Sequence, residues 1–148
     1  MDIGRLLFSS SGRIGQREFW IGFLILFAGG VLVHAALLIG HLLWWLSTYC
    51  WVCLFSKRLH DMGHSGFAQA WIYIVDVVAV ATALSLGLGS VLLALFSGHG
   101  YSMVLLMSAL GWFILAFLLW SVIRLGFVLW LGLSAGQPGD NRYGPAVV

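Results

Sequence analysis

Apolar residues fill most of the chain in long runs, and polar residues are gathered into three short segments. Between residues 20 and 56 no residue carries a full charge at neutral pH, and after Phe67 only Asp76 and Arg124 do so before the tail. Apolar runs of this length predict membrane-spanning helices. The three polar segments are residues 1–18, residues 57–67 and residues 134–148.

The lengths of the apolar runs predict four spans. As one helix, residues 19–56 would reach about 57 Å, whereas the hydrocarbon core of a bilayer is roughly 30 Å thick. The run must therefore fold back on itself, and Gly40-His41 is the favoured turn. A second turn is expected at residues 97–100, which hold two glycines. The predicted spans are about residues 19–39, 42–56, 68–96 and 102–127.

Composition supports a membrane protein and excludes two other classes. The chain is 61% hydrophobic and only 8% charged, with a mean hydropathy of +1.03. A soluble domain carries roughly 25% charged residues, so this chain has too little polar surface to coat a soluble globule. The net charge of +2, without a run of lysine or arginine, argues against nucleic acid as a partner. We expect an all-α polytopic membrane protein with a single domain, residues 1–148.

The basic residues predict the orientation. Six of the seven arginines and lysines fall in the three polar segments, and the two predicted turns between spans hold none. Cytoplasmic segments are enriched in these residues, so four spans place the N-terminus, the segment 57–67 and the tail in the cytoplasm. The residues concerned are Arg5, Arg13, Arg17, Lys57, Arg58 and Arg142.

The first polar segment has two interpretations. Ile3, Leu6, Leu7 and Phe8 are interspersed with polar residues and glycine, which fits a short helix lying along the headgroups. A frayed terminus fits the same pattern.

Asp76 and Arg124 are charged residues inside apolar runs, and their positions predict a pair. Counted from the turn at His99 along two helices, their depths differ by only about 3 Å, near the cytoplasmic edge of the core. Membrane charges often face the protein interior and pair with one another. A clamp between helices, a ligand or ion pathway, and snorkelling of Arg124 to the interface are the three alternatives.

The segment 57–67 is the most polar part of the middle of the chain, and we expect it to be a loop in water or at the membrane surface. His60, Asp61 and His64 have the spacing of a metal-ligand set. However, glycines at positions 63 and 66 predict a turn that would separate the histidines, so we expect no metal and no cofactor. Cys50 and Cys53 lie inside an apolar run and are expected to be buried thiols. No catalytic arrangement is recognisable.

Three blocks of residues, separated by apolar spans, resemble the domain-of-unknown-function family 805, small bacterial inner-membrane proteins of the YhaH/YhaI type. They are Ser11-Gly12-Arg13 with Arg17-Glu18-Phe19-Trp20, then Lys57-Arg58-Leu59-His60-Asp61-Met62-Gly63-His64-Ser65-Gly66-Phe67, then Gly136-Gln137-Pro138-Gly139-Asp140-Asn141-Arg142-Tyr143-Gly144-Pro145. The resemblance spans nearly the whole chain, with departures at His64 and Phe67. It implies an inner-membrane location and this architecture, and it carries over no activity.

The same blocks supply the candidate site, which is expected on the cytoplasmic face. Internal pairing is one interpretation: acidic residues neutralise the arginines and Asn141 holds the tail. The other is a pocket with a free arginine that binds a phosphate or carboxylate, such as an anionic lipid headgroup. The candidate residues are Arg13, Arg17, Glu18, Arg58, His60, Asp61, Asn141 and Arg142.

Three functional hypotheses follow. The first is a non-enzymatic envelope component that binds membrane lipids or a protein partner. The second is a small transporter or channel, built as a homo-oligomer, with Asp76 and Arg124 near its path. The third is an enzyme acting on a lipid headgroup with His60 or Asp61 as its base.

Overall fold

The regular elements are helical in the computed structural model, which describes residues 2–35, 40–96 and 102–147. The all-α class predicted from the sequence is confirmed for this part of the chain. The elements are α1 (Ile3–Phe8), α2 (Gln16–Ala35), α3 (Gly40–Asp61), a 3-10 helix (Gly66–Gln69), α4 (Ala70–Phe96) and α5 (Ser102–Leu133).

Two segments of the described chain are long and apolar enough to cross a membrane. They are Gly66–Phe96 and Met103–Leu133, each of 31 residues. At 1.5 Å per residue, a helix of this length reaches about 46 Å, more than the hydrocarbon core of a bilayer requires. The chain therefore has the character of a membrane protein.

The two predicted turns have different outcomes. α3 begins at Gly40, so Gly40 and His41, where the first turn was predicted, are helical, and residues 36–39 lie outside the described residues. A glycine is well tolerated where a helix starts, which is why it was a poor marker of the turn itself. The turn predicted at residues 97–100 lies outside the described residues.

The prediction that residues 57–67 form a loop is wrong for its first half. α3 continues through Lys57 and Arg58 to Asp61, and the chain turns only at Met62–Gly63. Gly63 has a φ of +77°, a backbone conformation that glycine adopts without steric cost. The helix persists because its charged side chains are buried and bonded, as described below. The next long helix begins at Ala70, after the 3-10 helix, rather than at residue 68.

The chain divides into two compact units. The first, which we call the polar unit, comprises residues 1–69 and 129–148. Its core joins α2 to α3 through Phe19 and Leu54, both fully buried. A Cβ at Gly22 would lie only 2.6 Å from Leu54 Cδ1, so glycine permits this close approach.

The second unit, the apolar unit, comprises residues 70–128 and consists of α4 and most of α5. Trp71 packs edge-on against Phe127, with ring centroids 5.4 Å apart. Gly87 faces the Phe113 ring, and a Cβ at this glycine would lie 2.6 Å from the ring. Elsewhere both helices expose large apolar side chains, among them Leu93 and Phe117. Such exposed apolar faces suit a lipid environment.

Candidate functional site

A buried carboxylate joins two arginines at the centre of the polar unit. Asp61, near the end of α3, accepts a hydrogen bond through Oδ1 from Arg13 Nε at 3.1 Å. Through Oδ2 it forms an ion pair with Arg58, three residues earlier on the same helix. The side chains of Arg13, Arg58 and Asp61 are 2%, 1% and 4% exposed. These three residues, all predicted to belong to the candidate site, form an interior ion network, as the internal-pairing interpretation described.

Arg58 uses its guanidinium to tie α3 to the end of α5. Its Nε donates to Leu131 O at 2.8 Å, and its NH1 donates to Ile14 O at 3.3 Å. NH2 donates to the carbonyl of Ser134, where α5 gives way to the tail. Two of these acceptors, Leu131 O and Ser134 O, lie at the C-terminal end of α5, where carbonyls have no partner within the helix. Burial lowers the pKa of Arg58, and the neighbouring Asp61 carboxylate opposes that shift.

Arg13 connects the tail to α3, as Arg58 connects the end of α5 to it. Its NH1 donates to Gly139 O at 2.7 Å, and its NH2 donates to Gln137 O at 2.7 Å. The backbone N–H of Gln137 in turn donates to Asp61 O at 2.7 Å. A Cβ at Gly136 would overlap the Asp61 carboxylate, so the tail approaches α3 closely at a glycine.

His60 and Asn141 form a second connection between α3 and the tail. The His60 ring stacks on Tyr143, with centroids 3.8 Å apart and planes 7° from parallel. Its Nδ1 lies 3.2 Å from Gly12 O. Asn141 Nδ2 donates to His60 O at 2.9 Å, as expected of a residue that holds the tail.

The electrostatics of His60 follow from this packing. Burial lowers its pKa, the hydrogen bond with Gly12 O acts in the opposite direction, and the positive charge of Arg142 lowers it further. Arg142 lies over the Tyr143 ring at 4.7 Å from the centroid and is otherwise exposed.

Arg17 and Glu18 begin α2 and stand apart from the ion network. Arg17 is exposed and Glu18 is half-buried. Both line a cavity of about 780 Å³ together with Gln137 and Val147 of the tail. Among the described residues, no arginine or lysine lies within 4 Å of the Glu18 carboxylate.

Lys57 was predicted only as one of the basic residues that set the orientation, but its side chain lies in the interior of the polar unit. Its Nζ donates to Arg5 O at 2.7 Å and to the carbonyl of Leu6, at the end of α1. Burial lowers its pKa, opposed by the thiol of Cys53 and the carboxylate of Glu18. The spacing of Cys50, Cys53 and Lys57 on one helix face was a signal for burial, because both thiols were expected to be interior.

The predicted pair of Asp76 and Arg124 is confirmed within the apolar unit. Arg124 Nε donates to Asp76 Oδ1 at 3.1 Å, and its NH2 forms an ion pair with Oδ2. Trp120 Nε1 donates to the same Oδ1 at 2.8 Å. The Arg124 guanidinium also lies 5.5 Å from the centroid of the Tyr73 ring. The two charged side chains are 27% and 21% exposed for Arg124 and Asp76.

Metal-ligating side chains do not converge in the described ranges. No group of three histidine, cysteine, aspartate or glutamate residues there is placed to hold a metal ion. His60 and His64 are separated by the turn at Met62–Gly63, as the glycines predicted. Cys50 and Cys53 are buried free thiols, also as predicted.

Two relatives match nearly the whole chain. The Escherichia coli strain K12 protein YiiR, titled an uncharacterized protein, is 33% identical over 153 aligned residues, which cover 97% of this chain and 89% of YiiR. YiiR of Escherichia coli O157:H7 matches with the same identity and coverage. No protein-family model matches the chain, and no solved structure matches it.

Proposed function

The chain belongs to the family of the uncharacterised protein YiiR, and from this premise we propose that it is a four-span inner-membrane protein that binds anionic phospholipid without catalysing a reaction. In this proposal it is a single membrane domain with both termini in the cytoplasm. The two long apolar segments support a membrane location. The basic residues of the three polar segments support the orientation. The resemblance to the domain-of-unknown-function family 805 supports the bacterial inner membrane.

The observation that carries lipid binding is the division of basic residues between the interior and the surface of the polar unit. This unit holds six arginines and lysines but four aspartates and glutamates, so it carries the whole net charge of the chain. Arg13 and Arg58 are used internally, whereas Arg17 and Arg142 are exposed. Internal pairing therefore accounts for two candidate arginines, and the surface retains two others.

Exposed cations next to a membrane attract an anionic leaflet. Each basic residue near the surface contributes about 1 kcal/mol, so Arg17 and Arg142 together correspond to roughly thirty-fold in affinity. Arginine also matches the geometry of a phosphate group through its planar fork of donors.

The test measures binding of phosphatidylglycerol and phosphatidylcholine to the purified full chain in detergent, by native mass spectrometry. We expect the double variant Arg17→Gln with Arg142→Gln to lose most of its phosphatidylglycerol binding and to keep its melting temperature. Asp140→Asn is the matched control, because it alters one exposed charge of the opposite sign in the same tail. Unchanged phosphatidylglycerol binding in the double variant would refute the proposal.

The transporter or channel hypothesis has one supporting observation, the ion pair of Asp76 and Arg124 on apolar helices. The Asp76 carboxylate already accepts hydrogen bonds from both Trp120 and Arg124. This arrangement supports a clamp between α4 and α5 more strongly than it supports an ion pathway. Ion- or proton-driven flux in liposomes that disappears with Asp76→Asn would favour this alternative over lipid binding.

The enzyme hypothesis has less support. Both oxygens of the Asp61 carboxylate are engaged by arginines, and the ring of His60 is covered by Tyr143. Turnover of a phospholipid that is abolished by His60→Ala would be needed to sustain it.

A further inference from the structure

A second cavity, of about 570 Å³, lies in the polar unit where α1, the start of α2 and the last turns of α3 meet. Its lining is different from that of the arginine network. Basic Arg5 and Lys57 share it with acidic Glu18 and with the hydroxyl residues Ser9 and Ser11. A small cavity with charges of both signs and hydroxyl groups can recognise a polar, doubly charged group.

Lys57 is an interior cation without a close counter-ion. The residue is 3% exposed. No carboxylate of the described residues lies within 4 Å of its Nζ. Two of the three ammonium donors go to Arg5 O and Leu6 O, which leaves one for a ligand. A buried charge that lacks an opposite charge is costly, so an anion beside this ammonium would stabilise the polar unit.

Arg13, Asp2 and Glu18 are the charged residues of the cavity that remain to be compared with Lys57. The guanidinium of Arg13 is used by Asp61 and the tail. The carboxylate of Asp2 accepts the backbone N–H of Arg5 at 3.2 Å and so begins α1. Glu18 attracts Lys57 but makes no ion pair with it, so two unlike charges line one cavity without touching.

Apolar surface lies on the helix that forms one wall of the cavity. α1 buries Leu6 and Leu7 against the unit and exposes Ile3 and Phe8, each 52% exposed. The exposed face of α1 suits acyl chains, whereas the cavity beneath it suits a headgroup. This pairing of polar cavity and apolar face favours a lipid over a soluble metabolite.

We propose that this cavity binds the headgroup of a phospholipid that carries both a phosphate and a primary ammonium group, as phosphatidylethanolamine does. Lys57 and Arg5 hold the phosphate, and Glu18 holds the ammonium group. The inference rests on the proposed membrane location but concerns a site separate from exposed Arg17 and Arg142.

The experiment compares binding of short-chain phosphatidylethanolamine and phosphatidylglycerol to the purified full chain and its variants, by native mass spectrometry. In the double variant Arg17→Gln with Arg142→Gln, which lacks the proposed surface site but keeps the lining of this cavity, binding should favour phosphatidylethanolamine. Glu18→Gln should weaken phosphatidylethanolamine about five-fold and leave phosphatidylglycerol unchanged, since only the first has an ammonium group. Arg5→Gln should weaken both lipids. These two side chains make no hydrogen bond within the described residues, so the variants should fold, which their melting temperatures will establish.

Asp140→Asn is the matched control for Glu18→Gln: it removes an exposed carboxylate that does not line this cavity, and it should leave the preference for phosphatidylethanolamine over phosphatidylglycerol intact. Soluble phosphoethanolamine, tested at the same concentration, should compete poorly, and equal competition would overturn the choice of a lipid. A preference unchanged by Glu18→Gln, or absent from the double variant Arg17→Gln with Arg142→Gln, would overturn the site. If phosphatidylglycerol binding still depended on Arg17 and Arg142, the proposed function would survive that failure. If the chain bound neither lipid, both would fail.

Discussion

Asp61 is the residue on which the polar unit most depends, because one carboxylate faces two buried guanidinium groups. The other donors of Arg13 and Arg58 go to backbone carbonyls. Within the described residues, neither arginine forms an ion pair with a second carboxylate. Removing one member of a buried ion network leaves the others charged and unpaired, which costs more than the network itself contributes.

Asp61→Asn should therefore destabilise the polar unit strongly. We expect a loss of about 3–5 kcal/mol, seen as a large fall in melting temperature in detergent. Asp140→Asn removes an exposed carboxylate from the same unit and should change the melting temperature little. Equal melting temperatures for the two variants would show that the ion network is not what holds the tail.

His60 gives the polar unit a dependence on pH. An unfolded histidine titrates near pH 6.5, and burial lowers the pKa of folded His60 below that value. The unfolded chain therefore binds more protons than the folded one as the solution is acidified. The stability that neutral His60 contributes is complete above about pH 6.5 and is lost as the pH falls through 6.5 towards the folded pKa.

The melting temperature of the wild-type chain should thus fall between pH 7.5 and pH 5.5 by more than that of His60→Gln. Gln can still face Gly12 O through its amide, but it does not titrate. His64→Gln retains the titrating group and should behave as the wild type does. An identical fall in all three proteins would exclude His60 as the cause.

Among the helices, α3 shows how much the sequence could predict and why the rest was out of reach. The turn at Gly63 was predictable from its glycine, and the burial of the cysteines followed from the apolar run. The helical conformation of residues 57–61 was not predictable, because a run of charged residues usually indicates a solvent-exposed segment. Here its charges are satisfied by carbonyls of α1 and α5, which are distant in sequence. The spacing of Lys57 from the cysteines could indicate burial, but partners so distant in sequence cannot be identified from it.

The pairing of α4 with α5 was predictable, because two isolated charges at matching depth constrain each other. Asp76→Arg and Arg124→Asp should each lower the amount of protein in the membrane, since each leaves two like charges together. The double variant should recover part of the loss, although Trp120 Nε1 then faces an arginine instead of a carboxylate. Accumulation of the double variant no better than that of either single variant would exclude a direct pair.

For the chain as a whole, the distribution of charge carries more information than any motif. The three polar segments are separated by more than thirty residues in sequence, yet Arg13, Asp61 and Gln137 meet in one unit. This convergence could be anticipated, because in the proposed four-span topology an even number of spans between each pair of segments returns the chain to the same side. The individual bonds within the unit could not, since they depend on backbone carbonyls that every sequence possesses.

The same reasoning predicts sidedness for the whole chain. Cysteines introduced singly at exposed positions of the three segments, by Ser10→Cys, Ser65→Cys and Ala146→Cys, should be protected from an impermeant thiol reagent in spheroplasts and labelled in inverted vesicles. Ser97→Cys, in the turn predicted between the last two spans, should show the opposite pattern. The native Cys50 and Cys53 are buried and provide the unlabelled background. Labelling of Ser65→Cys and Ala146→Cys from opposite sides would refute the four-span topology. It would also contradict the ion network, because two segments that share it must lie on the same side of a bilayer.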